Sequence, residues 1–139
     1  MPHELVRIEE TRLWFAKAKA DLRGAAVDME VEPPLVEDAM FHCQQAVEKA
    51  LKGFPTWHDQ PFRKTHNLVE LGMQCSEIAP SLEPLLPSAA RLSGYATIYR
   101  YPGTVIAATA EEAANAQSLA KEVVESILLL LPSEVRPQL

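Results

Sequence analysis

The stretch that decides the fold is LVEDAMFHCQQAVEKALKGF, residues 35–54, which predicts an amphipathic helix. Its apolar residues recur every three or four positions, as one face of a helix with 3.6 residues per turn requires. Gly53 and Pro55 are expected to end this helix, since proline lacks the backbone N–H that would continue it. The inward-facing stripe consists of Ala39, Cys43, Ala46, Val47, Ala50 and Phe54.

Four further segments on either side of this helix also carry helical spacing. They cover about residues 4–29, a short stretch after residue 67, about 85–100 and about 109–131. Together the five segments span about two-thirds of the chain, twice the usual helical share. Because no segment shows the alternation of a convincing strand, the sequence predicts an all-α bundle of four main helices plus a short additional helix.

Residues with capping chemistry mark where two of the helices begin. Asn67 with Glu70, and Thr109 with Glu112, have the spacing of a capping box. The last helix is expected to end before Pro132. These boundaries predict one domain over residues 1–139, with its core at about 4–131 and a tail at 132–139.

The composition narrows the class of protein further. The longest apolar run has six residues, far fewer than the roughly 20 that cross a bilayer. A net charge of −6 disfavours binding of duplex DNA, because most non-specific affinity comes from neutralised phosphates. With only two cysteines and no secretory signal at residues 1–10, a cytoplasmic location is expected.

A row of polar residues on the second helix predicts a phosphate-binding site. His42, Gln45, Lys49 and Lys52 follow one another at spacings of three, four and three residues. His42 and Lys49 are expected on one border of the apolar stripe, and Gln45 and Lys52 continue the polar side beyond it. A lysine on such a border can bury its stem and present its ammonium group to a crevice. The alternative is a solvated face on which Glu48 forms an ion pair with Lys52 one turn away.

Two smaller groups of cations extend this prediction. Lys64 and His66 lie just before the third helix, whose free N–H groups favour an anion unless Asn67 occupies them as a cap. Arg100 lies at the predicted end of the fourth helix, which also carries Arg91, Tyr95 and Tyr99. The alternatives are a polar loop in the first case and packed rings beside a surface cation in the second.

No established catalytic or metal-binding motif is present in the sequence. The five glycines are scattered, and the histidines and cysteines lack the His-x3-His or Cys-x2-Cys spacing of metal ligands. We therefore expect no catalytic residue, no metal ion and no cofactor. His58 with Asp59 and His66 would form a ligand set only if their loop brought them together.

Residues 41–52, FHCQQAVEKALK, resemble the signature helix of HEPN domains (higher eukaryotes and prokaryotes nucleotide-binding). KTHNL at 64–68, Trp14 with residues 20–22, and RYPG at 100–103 support the resemblance. It implies an antiparallel bundle that forms dimers or larger oligomers. It also implies prokaryotic minimal nucleotidyltransferases as partners, often in toxin–antitoxin-like pairs.

Many HEPN proteins are metal-independent ribonucleases with an arginine, four to six residues, and then a histidine. No histidine of this chain is preceded by arginine at that spacing. The sequence therefore predicts a non-catalytic HEPN protein that binds a nucleotide, a minimal nucleotidyltransferase, or both, in a polar crevice edged by the second helix. The alternatives are an oligomeric interaction module of a toxin–antitoxin-like pair, paired through the fifth helix, and a ribonuclease with a degenerate Arg–His site. The residues assigned to the crevice are His42, Gln45, Lys49, Lys64, His66 and Arg100.

Overall fold

A computed structural model describes residues 2–95 and 108–137, and every regular element within them is helical. Two short 3-10 turns, Pro80–Leu85 and Ser133–Val135, accompany the α-helices. The α-helices are α1 (Pro2–Glu30), α2 (Val36–Trp57), α3 (Leu68–Ile78), α4 (Leu86–Leu92) and α5 (Ala110–Leu128). The prediction of an all-α helical bundle is confirmed. Of these five helices, none has a run of apolar residues that would reach across a membrane.

The central helix of the bundle is α2, which packs against α1, α3 and α5. Thirteen of its 22 residues are buried, and they include polar side chains as well as the predicted apolar stripe. At Gly53 the helices α1 and α2 are in close contact, since a Cβ there would lie 2.6 Å from Phe15 Cε2 and 2.9 Å from Trp14 Cβ. The crossing of these two helices therefore depends on a residue without a side chain.

The predicted end of α2 at Pro55 is wrong, because the helix continues through this proline to Trp57. Proline cannot donate the hydrogen bond that the Leu51 carbonyl would otherwise receive four residues back. The thiol of Cys75 on α3 donates to this carbonyl oxygen instead, at 3.2 Å. A tertiary contact thus satisfies the carbonyl, and the last turn of α2 is retained.

The caps and ends of the other helices agree with the sequence in part. Asn67 caps α3 by accepting from the N–H groups of Val69 and Glu70, but its own N–H donates to the Thr65 hydroxyl rather than to Glu70. The α3 interaction is therefore a simple cap. At α5, Thr109 and Glu112 form the complete capping box.

The fourth helix is shorter than the predicted stretch of about 85–100. It ends at Leu92, and Ser93 is followed by Gly94 with a φ of 96°. This backbone region favours glycine and stops an α-helix. Arg91 and Tyr95 consequently do not share a continuous helical face, and Tyr99 and Arg100 lie outside the described residues.

The end of α5 also differs from the prediction, since the helix stops at Leu128 rather than Leu131. Ile127 and Leu131 are buried in the core of this chain, whereas Leu129 and Leu130 are exposed. In the segment predicted as a tail, Ser133–Val135 form a 3-10 turn and Val135 is buried. Arg12 on α1 donates to the Glu134 carbonyl and holds this turn against the bundle.

Candidate functional site

A buried carboxylate joins two of the predicted site residues at the seam between α1 and α2. Asp21 on α1 accepts from Lys49 Nζ at 2.5 Å, and its other oxygen lies 2.8 Å from His42 Nδ1. The side chains of His42 and Lys49 keep 30% and 25% of their exposure, so neither extends into bulk water. The structure therefore brings these two residues together, one α-helical heptad apart, around one anionic partner.

This partner changes the electrostatics that the sequence predicted. A phosphate near Lys49 would compete with a carboxylate that is already hydrogen-bonded to the ammonium group. Two further carboxylates, Asp28 and Asp38, lie 3.9 and 3.5 Å from His42 Nε2. The surroundings of His42 are thus acidic and favour a cation over a phosphate.

Asp28 is far more buried than Asp38. Its Oδ2 atom is shielded from solvent and has no hydrogen-bond partner in the described part of the chain. Burial, together with the hydrogen bond and negative charge of Asp38, raises the pKa of Asp28 from 3.8 to about 6, while His42 acts in the opposite direction. The negative charge of the Asp28 carboxylate is therefore only partly offset by the groups around it.

A second polar row runs along the opposite border of α2 and includes Lys52, which the sequence analysis placed in the row of His42, with a solvated face as the alternative. Glu48 accepts from Lys52 Nζ at 3.1 Å and from Gln44 Nε2 at 3.2 Å, and all three side chains are buried. His66 Nδ1 lies 3.0 Å from Glu48 Oε1, although most of the imidazole is exposed. Lys52 also lies 5.4 Å from the centre of the Phe62 ring. The Glu48–Lys52 ion pair that the alternative interpretation predicted is present, but it is buried and not on a solvated face.

The remaining predicted residues do not join one crevice. Gln45 donates to the side chain of Gln44 at 2.7 Å, and Lys64 is exposed in the loop before α3. His66 lies on the Glu48 side of α2, away from the Asp21 group that holds Lys49. Arg100 lies outside the described residues. The predicted set is therefore divided between two separate polar groups, with α2 between them.

A shallow recess lies beside Lys49 on the surface formed by α1. It has a volume of about 380 Å³. It is lined by Glu10, Leu13, Trp14, Lys17 and Lys49. Two lysines and an indole therefore line the recess, together with the acidic Glu10. The indole ring packs against Phe62 at a centroid distance of 5.4 Å.

The outer face of α1 carries apolar side chains that nothing in the described part of the chain covers. Val6, Leu13, Ala20 and Val27 follow one another at seven-residue spacing, and all four are exposed. Val6, Leu13 and Val27 each retain about half of their accessible surface. We call these four residues the α1 outer face. The α1 outer face was not predicted from the sequence, where the apolar end of the fifth helix was the predicted interface.

Asp21 and Asp28 were also missed as site residues, although the sequence contained a signal for both. They lie on the inward face of α1, where Phe15, Ala18 and Ala25 are buried at helical spacing. An aspartate within an apolar stripe needs a partner, and the facing helix offered a histidine and a lysine on its border. Asp38 and His42, four residues apart on α2, were not predicted as a ligand pair, because the His-x3-His and Cys-x2-Cys patterns contain no carboxylate.

Comparisons with known proteins agree with this architecture. Residues 11–130 match the model of the HEPN domain. A crystal structure of the protein TT1696 from Thermus thermophilus is similar at 28% identity and a TM-score of 0.77, covering 87% of this chain and 98% of that one. No curated protein matches the chain. Because the domain model spans most of the sequence, the chain belongs to the HEPN domain family.

Proposed function

We propose that this chain is a non-catalytic HEPN protein that works as an interaction module, pairing with a second copy of itself through the α1 outer face. The observation that carries the proposal is the exposed row of Val6, Leu13, Ala20 and Val27. At a rise of 1.5 Å per residue, these four positions cover about 30 Å of the helix surface. Positions seven residues apart return to the same side of a helix in a helix pair, so all four side chains can contact one facing helix at the same time.

The row is suited to a two-fold arrangement of identical helices. In an antiparallel pair centred between Ala16 and Lys17, Val6 of one copy lies level with Val27 of the other, and Leu13 with Ala20. The same surface then serves both copies, as an isologous contact requires. The small Ala20 leaves room for Leu13, so that the two helices can approach closely.

The oligomeric state tests this proposal directly. Light scattering behind size-exclusion chromatography is expected to give a dimer for the wild-type chain and a monomer for the Leu13→Glu/Val27→Glu variant. Met73→Glu is the matched control, because Met73 on α3 has a similarly exposed apolar side chain away from the α1 outer face. A wild-type chain that stays monomeric at about 100 µM, where even weak specific contacts form, would contradict the proposal.

A minimal nucleotidyltransferase is the second kind of partner that we propose, as in a toxin–antitoxin-like pair. The HEPN membership of the chain supports this choice. Co-expression with such an enzyme is expected to give a stable complex during gel filtration. Separate elution of the two proteins at micromolar concentration would count against it. The two free, buried cysteines fit a reducing compartment, which supports a cytoplasmic location for either complex.

Nucleotide binding is the second candidate function, and the recess beside Lys49 favours it. Lys17 and Lys49 would contact phosphate and Trp14 would contact a base, while Asp21 competes for Lys49. Two charge-assisted hydrogen bonds of about 1.5–3 kcal/mol each give a dissociation constant of tens of micromolar at best, and association costs move it toward the millimolar range. Calorimetry with ATP should show weaker binding for Lys17→Ala, with Lys121→Ala on α5 as the control. Equal heats for both variants and the wild type would remove the recess from consideration.

We propose no ribonuclease activity for this chain. The carboxylates of Asp21 and Glu48 are the hydrogen-bonding partners of His42 and His66, and the sequence lacks the arginine–histidine spacing that such cleavage would use. Incubation with structured RNA in chelator is expected to leave the RNA intact. Cleavage that disappears in His66→Ala would overturn this expectation.

A further inference from the structure

The imidazole of His42 is held in an orientation that suits a metal ligand. Asp21 accepts a hydrogen bond from Nδ1 at 2.8 Å, which assigns a proton to Nδ1, and in the neutral imidazole this tautomer leaves a lone pair on Nε2. Such a carboxylate behind the histidine is the usual arrangement at metal sites, where it fixes the tautomer and raises the basicity of the ligand nitrogen. Nε2 points toward two more carboxylates, Asp38 at 3.5 Å and Asp28 at 3.9 Å.

Asp28 supplies a second, independent indication that a cation belongs here. The residue is 9% exposed, and its buried Oδ2, the atom that faces His42, has no hydrogen-bond partner in the described part of the chain. A buried polar atom without a partner is rare in folded proteins and costs free energy. In this neutral tautomer the lone pair on Nε2 does not satisfy a carboxylate oxygen, because both atoms are acceptors. A positive ion between them would satisfy both.

The distances fit a small ion. One ligand atom from each of Asp28, Asp38 and His42 can be chosen such that all three lie within 4.8 Å of one another. Tetrahedral bonds of about 2.0–2.1 Å separate neighbouring ligand atoms by about 3.3 Å, so the observed 3.5 and 3.9 Å need to shorten by about 0.2 and about 0.6 Å. Two ligands lie one turn apart on α2 and the third lies across the seam on α1. Asp38 is half exposed, which leaves an open side for water.

We propose that Asp28, Asp38 and His42 form a binding site for a divalent first-row transition-metal ion, such as Zn²⁺. One imidazole nitrogen and two carboxylates suit such ions better than Mg²⁺ or Ca²⁺, which take oxygen ligands. Asp21 is the positioning residue of this site, acting through His42. The site is independent of the proposed pairing through the α1 outer face, since none of its residues belongs to that face.

Calorimetric titration of the chelator-treated full chain with Zn²⁺ near neutral pH tests the site. We expect one ion per chain for the wild type and at least tenfold weaker binding for Asp28→Asn. Glu37→Gln is the matched control, because Glu37 is an exposed carboxylate on the same turn of α2 as Asp38. Asp21→Asn is expected to weaken binding tenfold to a hundredfold through the lost orientation of His42.

A spectroscopic readout separates ligation from general effects on folding. Long-range ¹H–¹⁵N correlation spectra of the wild-type chain should show that Zn²⁺ perturbs Nε2 of His42 and leaves its Nδ1 proton in place. Absence of binding at about 100 µM Zn²⁺, a range that still detects weak sites, would overturn the proposal. Full retention of binding in a folded Asp28→Asn or His42→Asn variant would overturn it as well, because the ion would then lie elsewhere.

Discussion

Asp21 on α1 and Lys49 on α2 form an ion pair that spans the seam between the two helices, with Nζ and Oδ2 2.5 Å apart. The carboxylate is almost fully buried, whereas the ammonium group keeps contact with solvent. Removal of the carboxylate would leave Lys49 and His42 facing an uncharged seam. The pair is therefore expected to contribute to the free energy of unfolding whether or not a ligand binds beside it.

We predict that Asp21→Asn lowers the free energy of unfolding by about 1–3 kcal/mol, because it strands two partly buried donors. Urea unfolding of the chelator-treated chain measures the loss. Asp59→Asn is the control, since the Asp59–His3 pair is exposed and should be worth less than about 1 kcal/mol. Equal effects of the two variants would show that the buried pair contributes no more than a surface contact.

Gly53→Ala is predicted to destabilise the protein, although alanine is the better helix former. The new Cβ would lie well inside contact distance of the Phe15 ring and of Trp14 Cβ. Trp14 Cβ is fixed to the backbone of α1, so it yields only if α1 moves away from α2. Overpacking of this kind costs about 1–3 kcal/mol and outweighs the gain of about 1 kcal/mol in helix propensity. A lower melting temperature in calorimetry is the expected result. A melting temperature at or above that of the wild type would contradict the close helix crossing.

Acid is predicted to weaken the fold in part through His58. Burial, and then the positive charge of Arg7, lower the pKa of His58 below its ordinary 6.5. The unfolded chain therefore binds a proton that the folded chain resists, and stability falls as the pH drops below about 6.5. Urea unfolding at several pH values should show a shallower decline for His58→Asn. His3→Asn is the matched control, and an unchanged slope in His58→Asn would exclude this origin.

Both cysteines are predicted to be unreactive in the folded protein. Burial raises the pKa of Cys75 to about 12, and burial together with the charge of Asp21 does the same for Cys43. The thiolate is the reacting species, so a disulfide reagent should modify neither residue until urea unfolds the chain. Rapid labelling of one thiol without urea would show that its surroundings open locally.

The sequence predicted helix starts better than helix ends, and the reason is physical. Asn67 and Thr109 cap through bonds to residues two or three positions away, so local chemistry places them. The end of α2 depends on Cys75, which lies 24 residues from Leu51 and becomes its neighbour only in the folded chain. The turn at Gly94 was likewise hidden by apolar spacing that continues across it.

In the candidate site, too, the features set by local sequence were predicted and those set by tertiary contacts were not. Helical periodicity placed His42 and Lys49 on the border of the apolar stripe, where the structure has them half-buried. It left open which group would face them, because Asp21 is 21 residues from His42 and 28 from Lys49. Lys64 and His66 are near one another in sequence, yet only His66 reaches α2. Residues that are close in sequence therefore do not necessarily belong to the same site in the folded chain.

The interior row of Gln44, Glu48 and Lys52 has a consequence for how α2 is seated. Gln44 and Glu48 bond to each other, and both reach His66, through its carbonyl at 3.4 Å and its ring at 3.0 Å. Rotating α2 by one residue, about 100°, would break these bonds and strand a buried carboxylate. The row therefore fixes the rotation of α2 about its own axis. This rotation also determines that His42 and Lys49, on the other border of α2, face Asp21 on α1.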